Sequence, residues 1–469
     1  MKGVNYWSYY PYTPLNSMKR GAAPYICRLA PNGGRLELEF IDNGEPQAQH
    51  IVTFRKRNEG ETIEIPLNGY EAVIDGLDKD AEYEIAVRRS DGISSQTRLV
   101  RMGDVPGKVI NYLHPEDNCY SFSGKFLCSP CIIRTPSGAL LSSMDVFEGN
   151  SPQNLTLLFR SDDDGANWRW VGELFPCFWG RMFVVDEIIY MLGVSNEYGD
   201  LLIGFSEDDG ETWSAPSVLF RGSCNSNNAG CHRAPMPVIE FNGRLWTDLQ
   251  YGGWGYGSFG DAVVSAPIDS DLMNPENWIC SEFFNWKEFN KTLPESDRVN
   301  AHGGIEGNIT VGRDGMLYNL LRLADGKSLL LKIDVKDPEK APQFVKVVDM
   351  PITASKIDIH YDHVSGYYWT LASRLIHEPR TNRNLLSLMR SRDLVGWEVT
   401  ADILDARDAD ASKIAFQYIS FFIENEDIYF QSRTAYNGAH NYHDANYATF
   451  HIIKNFRELR DVKCQLKGD

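Results

Sequence analysis

Short runs of alternating apolar and polar residues fill most of the chain, and they come in two textures. In the first, from about residue 22 to 103, LELEF, AQHIVTF, TIEIPL and EYEIAV are separated by NGG, DNG, RNEG and SDG. A period of two punctuated by Gly, Asn and Asp predicts antiparallel strands joined by tight turns. In the second, longer apolar strand pairs recur as units that open at Cys131, Arg181, Pro235, Gly307, Lys356 and Tyr418. These units close near Trp168, Trp213, Trp278, Phe344, Val399 and Leu459. A recurrence at roughly 45 to 70 residues implies radial or linear repetition. Four-stranded blades set around an axis leave only short sheet edges, which suits a chain with so many strands. The count is six units, with room for a seventh in the connecting segment or between 280 and 303.

The expected architecture is therefore all-β: a six-bladed β-propeller preceded by a small β-sandwich. The expected division is an N-terminal segment (1–21), a sandwich (22–103), a linker (104–117, DVPGKVINYLHPED) and a propeller (118–469). At 469 residues the chain exceeds one ordinary core, in keeping with two domains.

A net charge of -18 excludes the basic footprint that nucleic-acid binding needs. No apolar run reaches the roughly 20 residues of a membrane helix, so no membrane partner is expected. The opening MKGVNYWSYYPYTPLN has no secretory pattern, so a cytoplasmic protein is expected, or a secreted one if a leader has been removed. Nine cysteines cannot all pair within one chain. Cys128 and Cys131 form a lone CxxC inside an apolar stretch, expected as buried reduced thiols.

Two turns are near copies: Ser161-Asp-Asp163-Asp-Gly165-Ala-Asn-Trp168 and Ser206-Glu-Asp208-Asp-Gly210-Glu-Thr-Trp213. Ser391, Asp393 and Trp397 form a worn third. In Ser-x-Asp-x-Gly-x-x-Trp the Asp accepts backbone N–H bonds, the Gly supplies a positive φ, and the Trp packs under the hairpin. These residues resemble the Asp boxes of the sialidase-like propellers, where they are structural. The resemblance runs from about 118 to 457. In the first domain, Leu77 followed by Tyr83, Ile85 and Val87 resembles a fibronectin type III domain with its tyrosine corner.

The sialidase resemblance implies site residues. Asp145, after CIIRTPSGALLSSM, falls near the expected acid/base. IEGNITVGRDGMLYNLLR is similar to the stretch carrying a Glu and then an Arg, which are Glu306 and Arg322 here. FQYISFFIENEDIYF resembles the strand with the nucleophilic Tyr, which is Tyr418. Arg374 is the candidate for a third substrate-binding Arg. The first is replaced by Cys-Ser-Pro at 128–130, a departure from the sialic-acid pattern. A Tyr attacks well only when a carboxylate takes its proton, so Glu306 beside Tyr418 is chemically sensible.

A second set lies outside that pattern. Arg433, His440, His443 and Asp444 crowd a loop between two strands, and His232 and His302 stand where units begin. Strand starts near a propeller axis face its mouth, where imidazoles can serve as acid or base. His440, His443 and Asp444 are also of the type that ligates a divalent metal. The leading expectation is a glycoside hydrolase acting on a terminal acidic sugar, with no cofactor and no metal. Its catalytic residues are Glu306, Tyr418, Asp145 and His443, and its substrate contacts are Arg322, Arg374, Arg433, His232, His302 and His440. The alternatives are a His/Tyr polysaccharide lyase on a uronic-acid glycan, and a non-catalytic glycan-binding propeller using Trp179, Trp254 and Tyr256. All three take an oligosaccharide or polysaccharide as partner.

Overall fold

The computed structural model describes Trp7 and residues 23–42, 48–223, 225–378 and 380–460, with the backbone of Val462–Lys463. Apart from Trp7, Ala22 and everything before it lie outside the described residues, as do 464–469.

The first domain is two facing sheets. One pairs Tyr25–Asn32, Arg35–Ile41 and Glu71–Ile74 in that order. The other runs Ile63–Leu67, His50–Lys56, Glu82–Arg89, Arg98–Arg101. The alternation seen in the sequence becomes alternating burial: in Glu82–Arg89, Tyr83, Ile85 and Val87 point inward while their neighbours are partly exposed. These residues share one core with Leu36, Leu38, Phe40, Val52 and Phe54.

Six sheets follow as blades around an axis. Blade 1 runs outward from Phe126–Arg134 through Leu140–Phe147 and Leu155–Ser161 to Arg169–Leu174. Blade 2 begins at Phe178–Val185 and ends at Ser217–Phe220. Blade 3 has a broken inner strand, Gly230–His232 and Val238–Phe241, against the hairpin Arg244–Gly253/Ser258–Pro267. Blade 4 starts at Ile305–Val311 and Leu317–Ala324, and blade 5 at Ile359–Asp362 and Tyr367–Ser373. Blade 6 starts at Ala415–Glu424, Asp427–Ala435 and Tyr447–Ile453. Inner strands such as Ala415–Glu424 are buried over most of their length, whereas the outer Gln343–Asp349 is largely exposed.

The segment expected as a linker is a structural part. Lys108–Tyr112 pairs antiparallel with Tyr447–Ile453 and forms the outermost strand of blade 6, joining the two ends of the propeller. Tyr112 and Tyr447 are fully buried and enter the core of the first domain. No seventh blade lies between 280 and 303: Ile279–Cys280 and Phe284–Asn285 complete blade 3, and Trp286–Asn290 is a short helix.

The two repeated turns have the same bonding. Asn167 N–H and Thr212 N–H each reach the Asp of their turn at 2.8 Å. Trp168 and Trp213 each donate their indole N–H to the turn glycine, at 3.1 and 3.2 Å, and are buried. In the worn copy Leu394 takes the positive φ of 65°, and Trp397 bonds its carbonyl at 3.1 Å.

Candidate active site

Four inner strands break their register near the mouth, and each break places one non-glycine residue in the left-handed region. These residues are Ser129 (φ 51°), Trp179 (54°), Glu306 (59°) and Tyr418 (54°). The shifts lie at Ser143/Asp145 opposite Ser129, at Phe178/Arg181, at Ile305/Asn308 and at Gln417/Ser420. A bulge turns a side chain out of the sheet's alternation, and holding a non-glycine at positive φ costs about 1–2 kcal/mol. The surroundings must therefore hold it there.

Neighbouring blades do so. Glu306 N–H donates to Gln250 at 3.1 Å and Gly307 N–H to Asp248 at 2.9 Å. A Cβ at 307 would lie 2.3 Å from Asn319 Oδ1 and 2.5 Å from Asp248 Oδ1, so any larger residue would displace the side chains that hold this bulge. Lys356, fully buried, donates to the carbonyl of Ile419 at 2.8 Å, beside Tyr418. Its charge is met by Asp358, which also pairs with Arg181 at 3.3 Å. Trp179 N–H donates to Asp145 at 2.8 Å, so Asp145 serves blade 2 as Gln250 serves blade 4.

The bulges bring distant residues together. Tyr418 donates its hydroxyl to Glu306 Oε1 at 2.7 Å. Arg322 Nη1 donates to Glu306 Oε2 at 2.8 Å and to the Tyr418 oxygen at 3.1 Å. Burial pushes the Glu306 carboxyl up, but Arg322 and the two hydrogen bonds outweigh it, so Glu306 sits below the usual carboxylate range. Burial and the Glu306 charge raise Tyr418, opposed by Arg322, Arg383 and Arg433. At neutral pH the pair is a carboxylate accepting from a neutral phenol.

Two more guanidiniums flank the phenol. Arg433 lies 5.0 Å and Arg383 5.7 Å from the Tyr418 ring centre. Burial, with Arg322 and Arg433 nearby, depresses Arg383 to about 10. Arg374, the residue chosen from sequence, instead pairs with Asp402 at 3.0 Å. Arg383 was missed because Arg374, Arg380 and Arg383 share one connection, and spacing alone does not say which turns inward. A cleft of about 490 Å³ opens beside Arg383 and Tyr442, lined also by Asp325, Asn382 and Ser412.

Asp145 is 1% exposed. It accepts from Thr156 at 2.5 Å and from Trp179, and the Ser129 hydroxyl lies within reach. Burial prevails over these bonds and raises its carboxyl to about 8, so it is protonated at neutral pH.

The four histidines differ in their surroundings. His232 is buried among Trp179 (4.5 Å between ring centres), Phe259 (4.6 Å) and Trp254 (6.1 Å). Burial depresses it to about 4 against the pull of Glu306. His302 packs edge-on against Trp254 at 5.6 Å. His443 packs on Phe147 at 5.3 Å and faces Arg433 at 3.4 Å. Burial and the Arg433 charge hold it at about 4. His440 stacks on Phe126 at 5.2 Å. His440 and His443 both direct Nδ1 at Asp444, at 2.8 and 2.9 Å, which joins the loop by hydrogen bonds. Among the described residues, no group of three or more His, Cys, Asp and Glu is arranged to hold a metal ion.

The buried polar atoms here with no partner within the protein include Arg433 Nε and His232 Nδ1. Such atoms are costly unless something else satisfies them, and a polar ligand does so.

No protein-family model matches the sequence, and no curated protein matches it. Among solved structures the chain is similar to an α-L-arabinanase of Penicillium chrysogenum, with 14% identity, 76% of this chain and 99% of that one covered, and a TM-score of 0.48. An α-L-arabinofuranosidase of Fusarium graminearum gives 11%, 75%, 98% and 0.46. The NanB sialidase of Streptococcus pneumoniae gives 10%, 93%, 93% and 0.49.

Proposed function

We propose that the protein is a retaining glycoside hydrolase of sialidase-like architecture that removes a terminal acidic sugar. The observation that carries this reading is the Tyr418–Glu306 hydrogen bond of 2.7 Å, closed by Arg322. Glu306 takes the phenolic proton as Tyr418 attacks the anomeric carbon. The glycosidic C–O bond breaks, and Asp145, protonated at neutral pH, gives its proton to the departing oxygen. Water then attacks the glycosyl-tyrosine, Asp145 takes the water's proton, and Glu306 returns a proton to Tyr418. This route uses a tyrosine in place of the usual second carboxylate.

Three cations support an acidic sugar. Arg322, Arg383 and Arg433 all act on Tyr418, and guanidinium forks match carboxylates. Blade 1 offers Cys128 where the sialidase pattern has its first arginine. The Arg433 charge reaches that thiol from blade 6, so it supplies a cation beside the gap. The unpartnered Arg433 Nε is the natural donor to the substrate.

A second reading, elimination from a uronic acid, is favoured by His443, a neutral imidazole 3.4 Å from Arg433. For the first domain we propose a fibronectin type III-like module, supported by the 3.0 Å bond from Asp78 N–H to the Tyr83 hydroxyl, a tyrosine-corner arrangement. We likewise read the repeated turns as Asp boxes.

The test is a panel of glycans ending in sialic or uronic acids, with products read by mass spectrometry and proton NMR. Release of the free acid sugar with retained anomeric configuration is expected. An unsaturated uronate product would replace this reading with the lyase.

A further inference from the structure

The mouth has two unlike walls. Blades 4 to 6 contribute Arg322, Arg383 and Arg433 around Tyr418. Blades 2 and 3 contribute Trp179, Tyr198, His232 and Phe259, whose rings pack together. The aromatic wall continues outward to Trp254, at the tip of the hairpin Arg244–Gly253/Ser258–Pro267. Trp254 packs against Phe259 at 5.0 Å and His302 at 5.6 Å, yet remains 44% exposed. An exposed indole joined ring by ring to a buried site is more than a stray surface apolar residue.

Its place relative to the bond being cleaved follows from contacts. Asp145 is held by Trp179 N–H at 2.8 Å, the Trp179 ring meets His232 at 4.5 Å, and His232 meets Trp254 at 6.1 Å. The acid that protonates the departing oxygen thus stands between the walls, bonded to the aromatic one through Trp179 N–H and reached by the Arg433 charge from the other, while Arg322 and Arg383, farther round the axis, hold the carboxylate end of the terminal sugar. The departing residue leaves over the aromatic wall. The tip is fixed in advance: Tyr256 N–H donates to Ser226 at 2.7 Å, Gly257 N–H to Gly253 at 2.9 Å, and His302 Nδ1 lies 3.2 Å from the Gly257 carbonyl. A pre-ordered ring loses little entropy on binding.

We propose that Trp254 is the stacking platform for the sugar on the leaving-group side, so that the site takes the end of an oligosaccharide rather than one terminal residue alone. This rests on the glycosidase reading, with Asp145 as acid. The neighbouring Tyr256, 56% exposed, widens the same surface.

The experiment compares the full chain with Trp254→Ala and Trp254→Phe on two substrates sharing one terminal acid sugar, a glycosyl fluoride, whose leaving group is too small to reach the indole, and an oligosaccharide. The ratio of kcat/KM for oligosaccharide over glycosyl fluoride should fall about tenfold in Trp254→Ala, through KM, and largely recover in Trp254→Phe. An unchanged ratio overturns the platform. In parallel, lactose, galactobiose and xylobiose are titrated by tryptophan fluorescence. Quenching in the wild type that is lost in Trp254→Ala is expected; no response to any of them, or an equal response in both proteins, overturns the proposal. If the wild type cleaves neither substrate, the glycosidase reading fails, and the titration alone decides the platform.

Discussion

Tyr418 and Glu306 stand 112 residues apart and on different blades, yet the phenol donates to the carboxylate at 2.7 Å. Both residues sit at positive φ on bulged inner strands, held there by Lys356 on one side and Gln250 on the other. Tyr418→Phe is expected to abolish turnover with little change in melting, since the ring packing is kept. Glu306→Gln is expected to lower kcat by at least about a hundredfold and also to destabilise, because Arg322 keeps a buried charge without its counter-ion. Steady-state rates with parallel thermal melts check both.

The pH profile should carry the signature of Asp145. Glu306 is ionised from below the usual carboxylate range upward, and Asp145 must be protonated to act as acid. Activity should therefore persist into mildly acidic solution and fall as pH rises through about 8. Asp145→Asn keeps an acceptor for Trp179 N–H while removing the proton, so the fold should stand and the limb at about 8 should vanish. Substrates with good leaving groups should suffer least. Stability follows the same linkage: because folding raises this carboxyl, its contribution is complete below the unfolded pKa and is lost as pH rises through about 8. Urea denaturation at pH 5 and pH 9 measures that slope, which Asp145→Asn should flatten.

Replacing Arg383 or Arg433 by Met should raise KM for an acidic substrate at least about tenfold, the worth of a charged hydrogen bond. Arg374→Met should leave KM near the wild-type value, because that side chain serves Asp402 at 3.0 Å. A KM rise in Arg374→Met equal to that in Arg383→Met would contradict this division.

Much of the fold was legible because its signals are local. The Ser-x-Asp-x-Gly-x-x-Trp turns contain nearly all their own hydrogen bonds, and inner strands show as apolar runs. Lys108–Tyr112 was not legible: five residues between Pro/Gly and acidic segments look like a linker, and their partner Tyr447–Ile453 lies at the other end of the chain. That Glu306, Arg322 and Tyr418 meet was expected from resemblance and not from periodicity, since a bulge interrupts the very alternation that reveals a strand. Arg383 was missed and Arg374 chosen in its place because loop geometry, not spacing, decides which guanidinium turns inward. The deep burial of Asp145 depends on the close approach of blade 2, which no local pattern records.

Asp163→Ala and Asp208→Ala each remove the acceptor for a turn N–H at 2.8 Å. Each should lower stability by about 1–2 kcal/mol while leaving kcat unchanged. Differential scanning calorimetry beside an activity assay checks this. Loss of turnover without loss of stability would place those turns in the catalytic machinery.

Trapping the glycosyl-enzyme tests the Tyr418 nucleophile most directly. The protein is incubated with a fluorinated glycosyl fluoride of its acidic sugar, which forms the intermediate faster than water removes it, and is then digested for peptide mass spectrometry. One glycosyl mass on the peptide bearing Tyr418, absent from Tyr418→Phe, is the expected result. The same mass on Glu306, or turnover of the natural glycan to an ultraviolet-absorbing unsaturated uronate with no adduct, would contradict it.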